Sequence, residues 1–229
     1  NNKAKESLHT LSSSFDQEFY KICQRTTVRL EHCKSKQDVY CLQVPFTRYI
    51  EKKTLDYSSL VSCKDKIAPT NAKPMPISII FEHIRSAHNV GSMLRTCEAM
   101  GVAKVYLCGY TAGPEHKSVA KSSCGSHTML DYEPYRDTVS LITKLKSQNK
   151  IILGLETAHT AISLQDIDSF VIPQHKYVFV VGNEGHGISA PVLQSCHKLI
   201  RVPMFGSKNS LNVSVCLAMV LWEFRKNFF

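Results

Sequence analysis

Several features of membrane, secreted and metal-binding proteins are missing from this sequence of 229 residues. No apolar run approaches the roughly 18 residues that cross a bilayer, which argues against a membrane protein. The first residues, NNKAKESLHT, lack both an initiator methionine and the apolar segment of a signal peptide, so we expect a trimmed or processed chain. The nine cysteines include no C-x-x-C pair and often lie in apolar runs. This pattern favours free thiols in a reducing cytoplasm and no zinc or other metal site.

Glycine is absent from residues 1–68, and proline occurs there only once, at Pro45. Apolar residues at helical spacing predict a helical N-terminal extension over residues 1–70. Its basic residues form either an RNA-binding face or an ordinary solvated surface: Lys34, Lys36, Arg48, Lys52 and Lys53. Three prolines in the segment IAPTNAKPMP then mark a boundary, and a second domain is predicted over residues 75–229.

The overall composition is that of a globular protein, with 43% hydrophobic and 21% charged residues, but the net charge is +9. A positive excess of this size indicates either a generically basic surface or a polyanionic partner such as nucleic acid. A membrane surface is a weaker alternative, because no basic helix carries an aromatic apolar face.

Buried strands alternate with helices from residue 77 onward, which predicts a mostly parallel α/β sheet flanked by helices on both faces. The predicted strands cover residues 77–82, 104–109, 151–156, 178–181 and 199–202. The predicted helices cover residues 90–100, 135–149, 163–169 and 189–196. The last two strands each end in a loop rich in Gly, Asn and Ser. Such loops predict a ligand site at the carboxyl ends of the strands.

Three short clusters carry the candidate chemistry. The first, HNVGSMLR, begins at residue 88; Gly91 lies one helical turn from Arg95 and is expected to leave space for a substrate, while Asn89 is a candidate N-cap. The second, VGNEGHG, has glycines in the order G-x-x-G-x-G, which excludes the dinucleotide-binding fingerprint. The third, PMFGSKNSLN, supplies Ser210 and Asn212, either of which could simply cap the following helix.

In this order and spacing, the three clusters resemble the signature motifs of the TrmH (SpoU) branch of the SPOUT superfamily, which are RNA 2′-O-ribose methyltransferases. The resemblance covers roughly residues 77–229. It implies a domain of five or six parallel strands with a C-terminal trefoil knot. It also implies S-adenosylmethionine as cofactor, tRNA or rRNA as substrate, and a homodimer with the active site near the interface.

The resemblance also assigns individual residues. The catalytic positions that it implies are Asn89, Arg95, Glu184, Ser210 and Asn212. The cofactor-binding positions that it implies are Leu155, Gly182, Asn183, Gly187, Val202, Met204 and Leu211. Because arginine stays protonated at ordinary pH, we expect Arg95 to bind a phosphate and stabilise the developing alkoxide rather than act as a base. Asn89 is expected to orient Arg95, and Glu184 to hold the substrate or the other motif residues.

Other interpretations remain open at this stage. A non-catalytic RNA-binding or scaffold protein could use the same fold, and a related SPOUT enzyme could methylate a base instead of a ribose. A small-molecule α/β enzyme with a nucleotide cofactor fits only the glycine-rich loops. If RNA is the partner, the candidate contacts outside the motifs are Arg85, Lys117, Lys121 and the N-terminal extension.

Overall fold

The computed structural model describes residues 17–54, 74–169 and 171–228. The chain divides into two compact units, Asn1–Ala68 and Pro69–Phe229. Within the described residues, no helix is both long enough and apolar enough to cross a membrane.

The described part of the first unit is a pair of helices, α1 (Gln17–Leu30) and α2 (Lys36–Thr54). They contact each other through Phe19, whose ring packs edge-on against Phe46 at 6.0 Å and lies 5.2 Å from the ring of Tyr49. These helices agree with the predicted helical extension over the part that is described. Of the predicted basic face, Lys34 is exposed, and four side chains lie outside the described residues: Lys36, Arg48, Lys52 and Lys53.

A sheet of seven strands forms the centre of the second unit in the described residues. The strands are β1 (Met75–Glu82), β2 (Val102–Cys108), β3 (Tyr132–Tyr135), β4 (Lys150–Leu155), β5 (Ile162–Ser163), β6 (Lys176–Val181) and β7 (Lys198–Arg201). Their order across the sheet is β3-β2-β1-β6-β4-β7-β5, and each neighbouring pair is parallel. The loops that follow β1, β6, β4 and β7 therefore emerge side by side at one edge of the sheet.

Successive strand residues point to opposite faces of the sheet, so these apolar strands present apolar side chains on both faces. Helices cover both faces. The helices are α3 (Ala87–Met100), α4 (Lys117–Ser123), α5 (Thr138–Ser147), α6 (Ala190–Gln194) and α7 (Val213–Arg225). One face buries Phe179 against α3 and α7, and the Phe179 and Phe224 rings lie 4.6 Å apart. The other face buries Ile80 and Val180 against α5 and α6. The predicted parallel α/β sheet flanked by helices is confirmed.

The structure corrects several predicted elements. The helix predicted over residues 135–149 is α5, which begins later because Asp137 caps it by accepting the N–H of Ser140 at 2.9 Å. The preceding residues form the edge strand β3, which the sequence analysis missed. The short helix predicted over residues 163–169 is present as a 3₁₀ helix, Leu164–Ser169, directly after β5. The expected five or six strands are seven in the described residues.

Candidate active site

A chain of hydrogen bonds joins the three sequence clusters at the edge of the sheet. The side-chain amide of Asn212 donates to Asn89 Oδ1 at 3.2 Å, and Asn89 Nδ2 donates to Glu184 Oε1 at 2.8 Å. The Glu184 carboxylate also accepts the backbone N–H groups of Arg85 at 2.8 Å and Ser86 at 3.0 Å. Segments that are far apart in sequence are thereby held at one point.

Asn89 can make this bridge because it is not the N-cap that the sequence predicts. Ser86 has extended backbone angles, and its side chain accepts the N–H of Asn89 at 3.3 Å, so Ser86 caps α3. Asn89 therefore lies in the first turn of the helix and is 9% exposed. Its side-chain amide is left to connect Glu184 with Asn212.

Asn212 has two structural roles, as a helix cap and as a link to the first cluster. Its Oδ1 atom accepts the N–H of Ser214 at 2.9 Å, so it caps α7. Its Nδ2 atom donates to Asn89, so the same side chain connects the start of α7 to the first turn of α3.

The environment of Glu184 keeps its carboxylate ionised. Partial burial alone would raise the pKa of Glu184, but the hydrogen bonds from Asn89, Arg85 and Ser86 outweigh burial and lower that pKa below its usual value. A fixed negative charge is thus held by donors from the first cluster and from the loop directly before it.

The loop that carries Glu184 is closed on itself. Asn183 and Gly187 exchange two backbone hydrogen bonds, of 2.9 and 2.8 Å. A Cβ atom at Gly182 would collide with backbone atoms of Gly187 and Ile188, so only glycine fits at the start of this loop. The side chain of Asn183 accepts the N–H of Gly185 at 2.8 Å and thereby holds the turn from inside.

A cleft of about 680 Å³ opens beside this loop, a size that suits a small organic ligand. Its walls contain every residue that the family resemblance assigns to the cofactor: Leu155, Gly182, Asn183, Gly187, Val202, Met204 and Leu211. Three of the predicted catalytic residues, Glu184, Ser210 and Asn212, also line the cleft. The two glycine-rich loops therefore face each other across one cavity, as their sequences predict.

Arg95 lies apart from the residues that line the cleft. Its side chain is exposed, and its Nη1 atom donates to Cys124 Sγ at 3.4 Å. Arg95 is six positions beyond Asn89, which places the two side chains about 120° apart around the helix axis. The prediction that Asn89 orients Arg95 is wrong for a single chain, because the Asn89 amide is bonded to Glu184 and Asn212 instead.

The predicted role of Gly91 is also wrong. A Cβ atom at this position would strike the Ser122 side chain and the backbone carbonyl of Val119 on α4. The glycine lets α4 pack closely against α3, so the space expected for a substrate is filled by protein. The packing carries α4 past Arg95 and places Cys124, at the end of that helix, beside its guanidinium group.

Two carboxylates that sequence reasoning did not single out hold the residues directly after the second cluster. Glu156 lines the cleft and accepts the N–H of Ile188 at 3.0 Å. Glu82 is 2% exposed and accepts both the hydroxyl of Ser189 at 2.6 Å and its N–H at 3.1 Å. The available signal was an acidic residue directly at the end of two otherwise apolar strands.

Metal ligation finds no support in the part of the chain that the structure describes, because no group of three or more His, Cys, Asp or Glu side chains there could hold an ion. Besides carboxylates and amides, the cleft is lined by the Thr157 and Ser210 hydroxyls, the His186 imidazole, the Arg201 guanidinium group and the Cys216 thiol.

Comparison with known proteins gives matches to this second unit. The family model described as the SpoU rRNA Methylase family matches residues 76–222. A 23S rRNA (guanosine-2′-O-)-methyltransferase, RlmB, of Neisseria meningitidis is 31% identical over 156 residues, which cover 68% of this chain and 60% of the relative. A tRNA (guanosine(18)-2′-O)-methyltransferase of Aquifex aeolicus is 31% identical over 147 residues, which cover 63% of this chain and 67% of the relative.

Solved structures share the fold. The A. aeolicus TrmH/SpoU tRNA modifying enzyme superposes with a TM-score of 0.60 at 26% identity, over 67% of this chain and 76% of that one. The SpoU methyltransferase AviRb of Streptomyces viridochromogenes, solved in complex with AdoMet, has a TM-score of 0.61 at 21% identity, over 69% of this chain and 62% of that one.

Proposed function

This chain belongs to the SpoU rRNA methylase family, as its three motifs predict, and we propose that it methylates a ribose 2′-hydroxyl of tRNA or rRNA with S-adenosylmethionine as cofactor. The observation that carries the proposal is the hydrogen-bond chain from Asn212 through Asn89 to Glu184 at the edge of the 680 Å³ cleft. It brings one residue from each motif to the same place.

The residues of the cleft fit the proposed cofactor. Apolar side chains such as Leu155 and Val202 offer a surface for a flat base, and the glycine-rich loop exposes backbone groups for hydrogen bonding. Glu156 and Glu184 supply negative charge, which suits a sulfonium ligand. When bound, S-adenosylmethionine supplies an electrophilic methyl group.

The remaining task of the chain is to hold the ribose and to stabilise charge on its 2′-oxygen. Methyl transfer needs an oxygen aligned with the methyl group, so positioning supplies much of the rate. We assign Arg95 to an RNA phosphate and to the developing alkoxide, because its side chain is exposed and a guanidinium group matches the geometry of oxyanions. Ser210 lines the cleft and would contact the substrate or cofactor there.

The surface near these residues supports an RNA partner. Arg85, Lys117 and Lys121 are exposed on α4 and on the loop before α3, where they could bind phosphates. The N-terminal unit, residues 1–70, is proposed to select the RNA. Together with the net charge of +9, these positions favour a polyanion over a small-molecule substrate.

Assembly and location complete the proposal. Val215, Met219 and Trp222 form an exposed apolar stripe on α7, with 48%, 43% and 59% of their surfaces exposed, which supports a homodimer with the active site near its interface. Because the chain belongs to this family, we also propose that its C-terminal segment forms a trefoil knot. The eight cysteines that the structure describes are free thiols, which is compatible with the cytoplasm.

The test is transfer of tritium from labelled S-adenosylmethionine into unmodified total RNA. We expect label to survive alkaline hydrolysis within a dinucleotide, which only a methylated ribose produces. Arg95→Ala should lower the rate by about 100-fold or more while calorimetric cofactor affinity is kept. The matched control is Arg136→Ala, which removes an exposed arginine that lies outside the cleft.

Other outcomes would identify the alternatives. Label recovered in mononucleotides after alkaline hydrolysis, instead of in a dinucleotide, would indicate methylation of a base. Absence of cofactor binding in the wild-type protein would contradict an enzyme and favour a scaffold that binds RNA.

A further inference from the structure

An aromatic pair, half-buried His83 and exposed Tyr110, lies just beyond the ends of β1 and β2, outside the residues that line the cleft. Tyr110 is 60% exposed, and its ring centroid lies 4.7 Å from that of His83. Large aromatic side chains exposed to this extent often mark interaction surfaces, especially when their orientation is fixed.

Hydrogen bonds fix the Tyr110 ring. The side-chain amide of Asn183 donates to the Tyr110 hydroxyl at 2.7 Å and to the backbone carbonyl of His83 at 2.9 Å. Asn183 is 9% exposed and belongs to the loop that walls the cleft. Tyr110 is therefore tied to the same loop that carries Glu184, while most of its ring faces solvent.

The backbone is also shaped to accommodate this pair. His83 has a φ of +52°, a left-handed conformation that is unusual for a residue other than glycine. Gly109 has a φ of +64°, and a Cβ atom there would collide with the His83 ring. Unusual backbone conformations held by their surroundings cluster at ligand sites, because packing alone rarely needs them.

The position of the pair suits a substrate base. His83 is two residues from Arg85, whose backbone N–H is bonded to Glu184. Proteins that bind single-stranded or looped RNA stack its bases on Tyr and His rings. A flat aromatic ring fixed beside the cleft offers such a stacking surface.

We propose that Tyr110, backed by His83, stacks against an unpaired base of the RNA substrate next to the ribose that is methylated. This inference rests on the proposed function, because it takes RNA as the substrate. Tyr110 is then a positioning residue for the nucleotide, and its hydroxyl serves only to orient the ring.

The experiment compares Tyr110→Ala and Tyr110→Phe with Tyr132→Ala, which removes another exposed tyrosine, on β3. The ligands are the unmodified RNA fragment that contains the target nucleotide and the same fragment with an abasic site at or beside that nucleotide. Binding is measured by fluorescence anisotropy, the Michaelis constant by methyl transfer, and cofactor affinity by calorimetry.

Loss of the ring should weaken RNA binding and raise the Michaelis constant for RNA by about 5- to 100-fold, with cofactor affinity unchanged. Tyr110→Phe keeps the stacking ring but loses the hydrogen bond that orients it, so it should show a much smaller loss than Tyr110→Ala. Tyr132→Ala should behave like wild type. One abasic position should weaken binding to the wild-type protein and cause no further loss in Tyr110→Ala, because the same contact is already missing.

Three results would overturn the inference. Unchanged RNA binding in Tyr110→Ala would exclude stacking, equal losses in the Phe and Ala variants would assign the effect to the hydroxyl, and lost cofactor affinity would assign it to support of the loop. If RNA binding depends on Tyr110 but the bound RNA is not methylated, the proposed function is rejected and the stacking inference stands. In that case a synthetic single-stranded RNA with and without abasic sites serves as the binding probe.

Discussion

At the scale of single residues, the site depends on positions where only glycine fits. Gly182 is the clearest of these, because its Cα faces the backbone of Gly187 and Ile188. The conformational freedom of glycine is not the reason, since the requirement is space for two backbones to approach each other.

We predict that Gly182→Ala opens this loop, abolishes cofactor binding and lowers the free energy of unfolding by about 1–3 kcal/mol, because the added methyl group must displace backbone. Calorimetry and urea unfolding would measure the two effects. Gly206→Ala is the matched control, since a Cβ atom there meets no atom within 4 Å. Equal behaviour of the two variants would contradict the assigned role of Gly182.

At the scale of secondary structure elements, lysines gather near the beginnings of the strands, at the opposite edge of the sheet from the cleft. Lys150 on β4 pairs in register with Lys176 on β6. Burial, followed by the nearby charges of Lys176, Lys104 and Lys144, lowers the pKa of Lys150. Lys104 is bridged by the carboxylates of Asp131 and Glu133, at 3.4 and 3.0 Å.

We predict that Lys150→Met stabilises the protein at neutral pH. A lysine whose pKa is lower in the folded state destabilises the fold below that pKa, and the penalty disappears as pH rises toward the unfolded value of about 10.4. Urea midpoints at neutral and alkaline pH should show the advantage of the variant shrinking with pH. Lys226→Met, which removes a lysine paired with Glu223 at 2.8 Å, should bring no such gain.

A comparison of individual strands and helices also shows which of them could be predicted from sequence patterns. The apolar strands β1, β4 and β6 were predictable because buried parallel strands are continuously apolar. Strand β3 was missed because it is a four-residue edge strand containing Pro134, with side chains that are largely exposed. The start of α3 was misplaced because Ser86 and Asn89 are both good caps, and only the hydrogen bond between them decides.

For the whole molecule, the cleft was predictable because its loops carry recognisable motifs, and the bond from Asn89 to Glu184 agrees with the expectation that Glu184 holds another motif residue. Nothing in the spacing of residues indicates that Asn89 also bonds to Asn212 rather than to Arg95, or that Gly91 receives α4. Those contacts depend on how distant segments pack, which periodicity does not encode.

Assembly of two copies is the prediction that belongs to this scale. Met219→Glu should place a charge in the apolar stripe of α7, convert a dimer to monomers in sedimentation experiments and reduce methyl transfer. Ile172→Glu is the matched control, because Ile172 is 45% exposed but lies before β6, outside the stripe. A wild-type protein that sediments as a monomer would contradict the proposed assembly.

The hydrogen-bond chain of the site has a consequence for synthesis. Its two links join residues separated by 95 and 123 positions, and the last partner, Asn212, caps α7. A nascent chain that has released β1 to β6 can pair those strands, but it still lacks the residue that completes the bridge. Under the proposed function, the site stays incomplete until α7 has emerged from the ribosome and docked on α3, so methyl transfer cannot begin before that point.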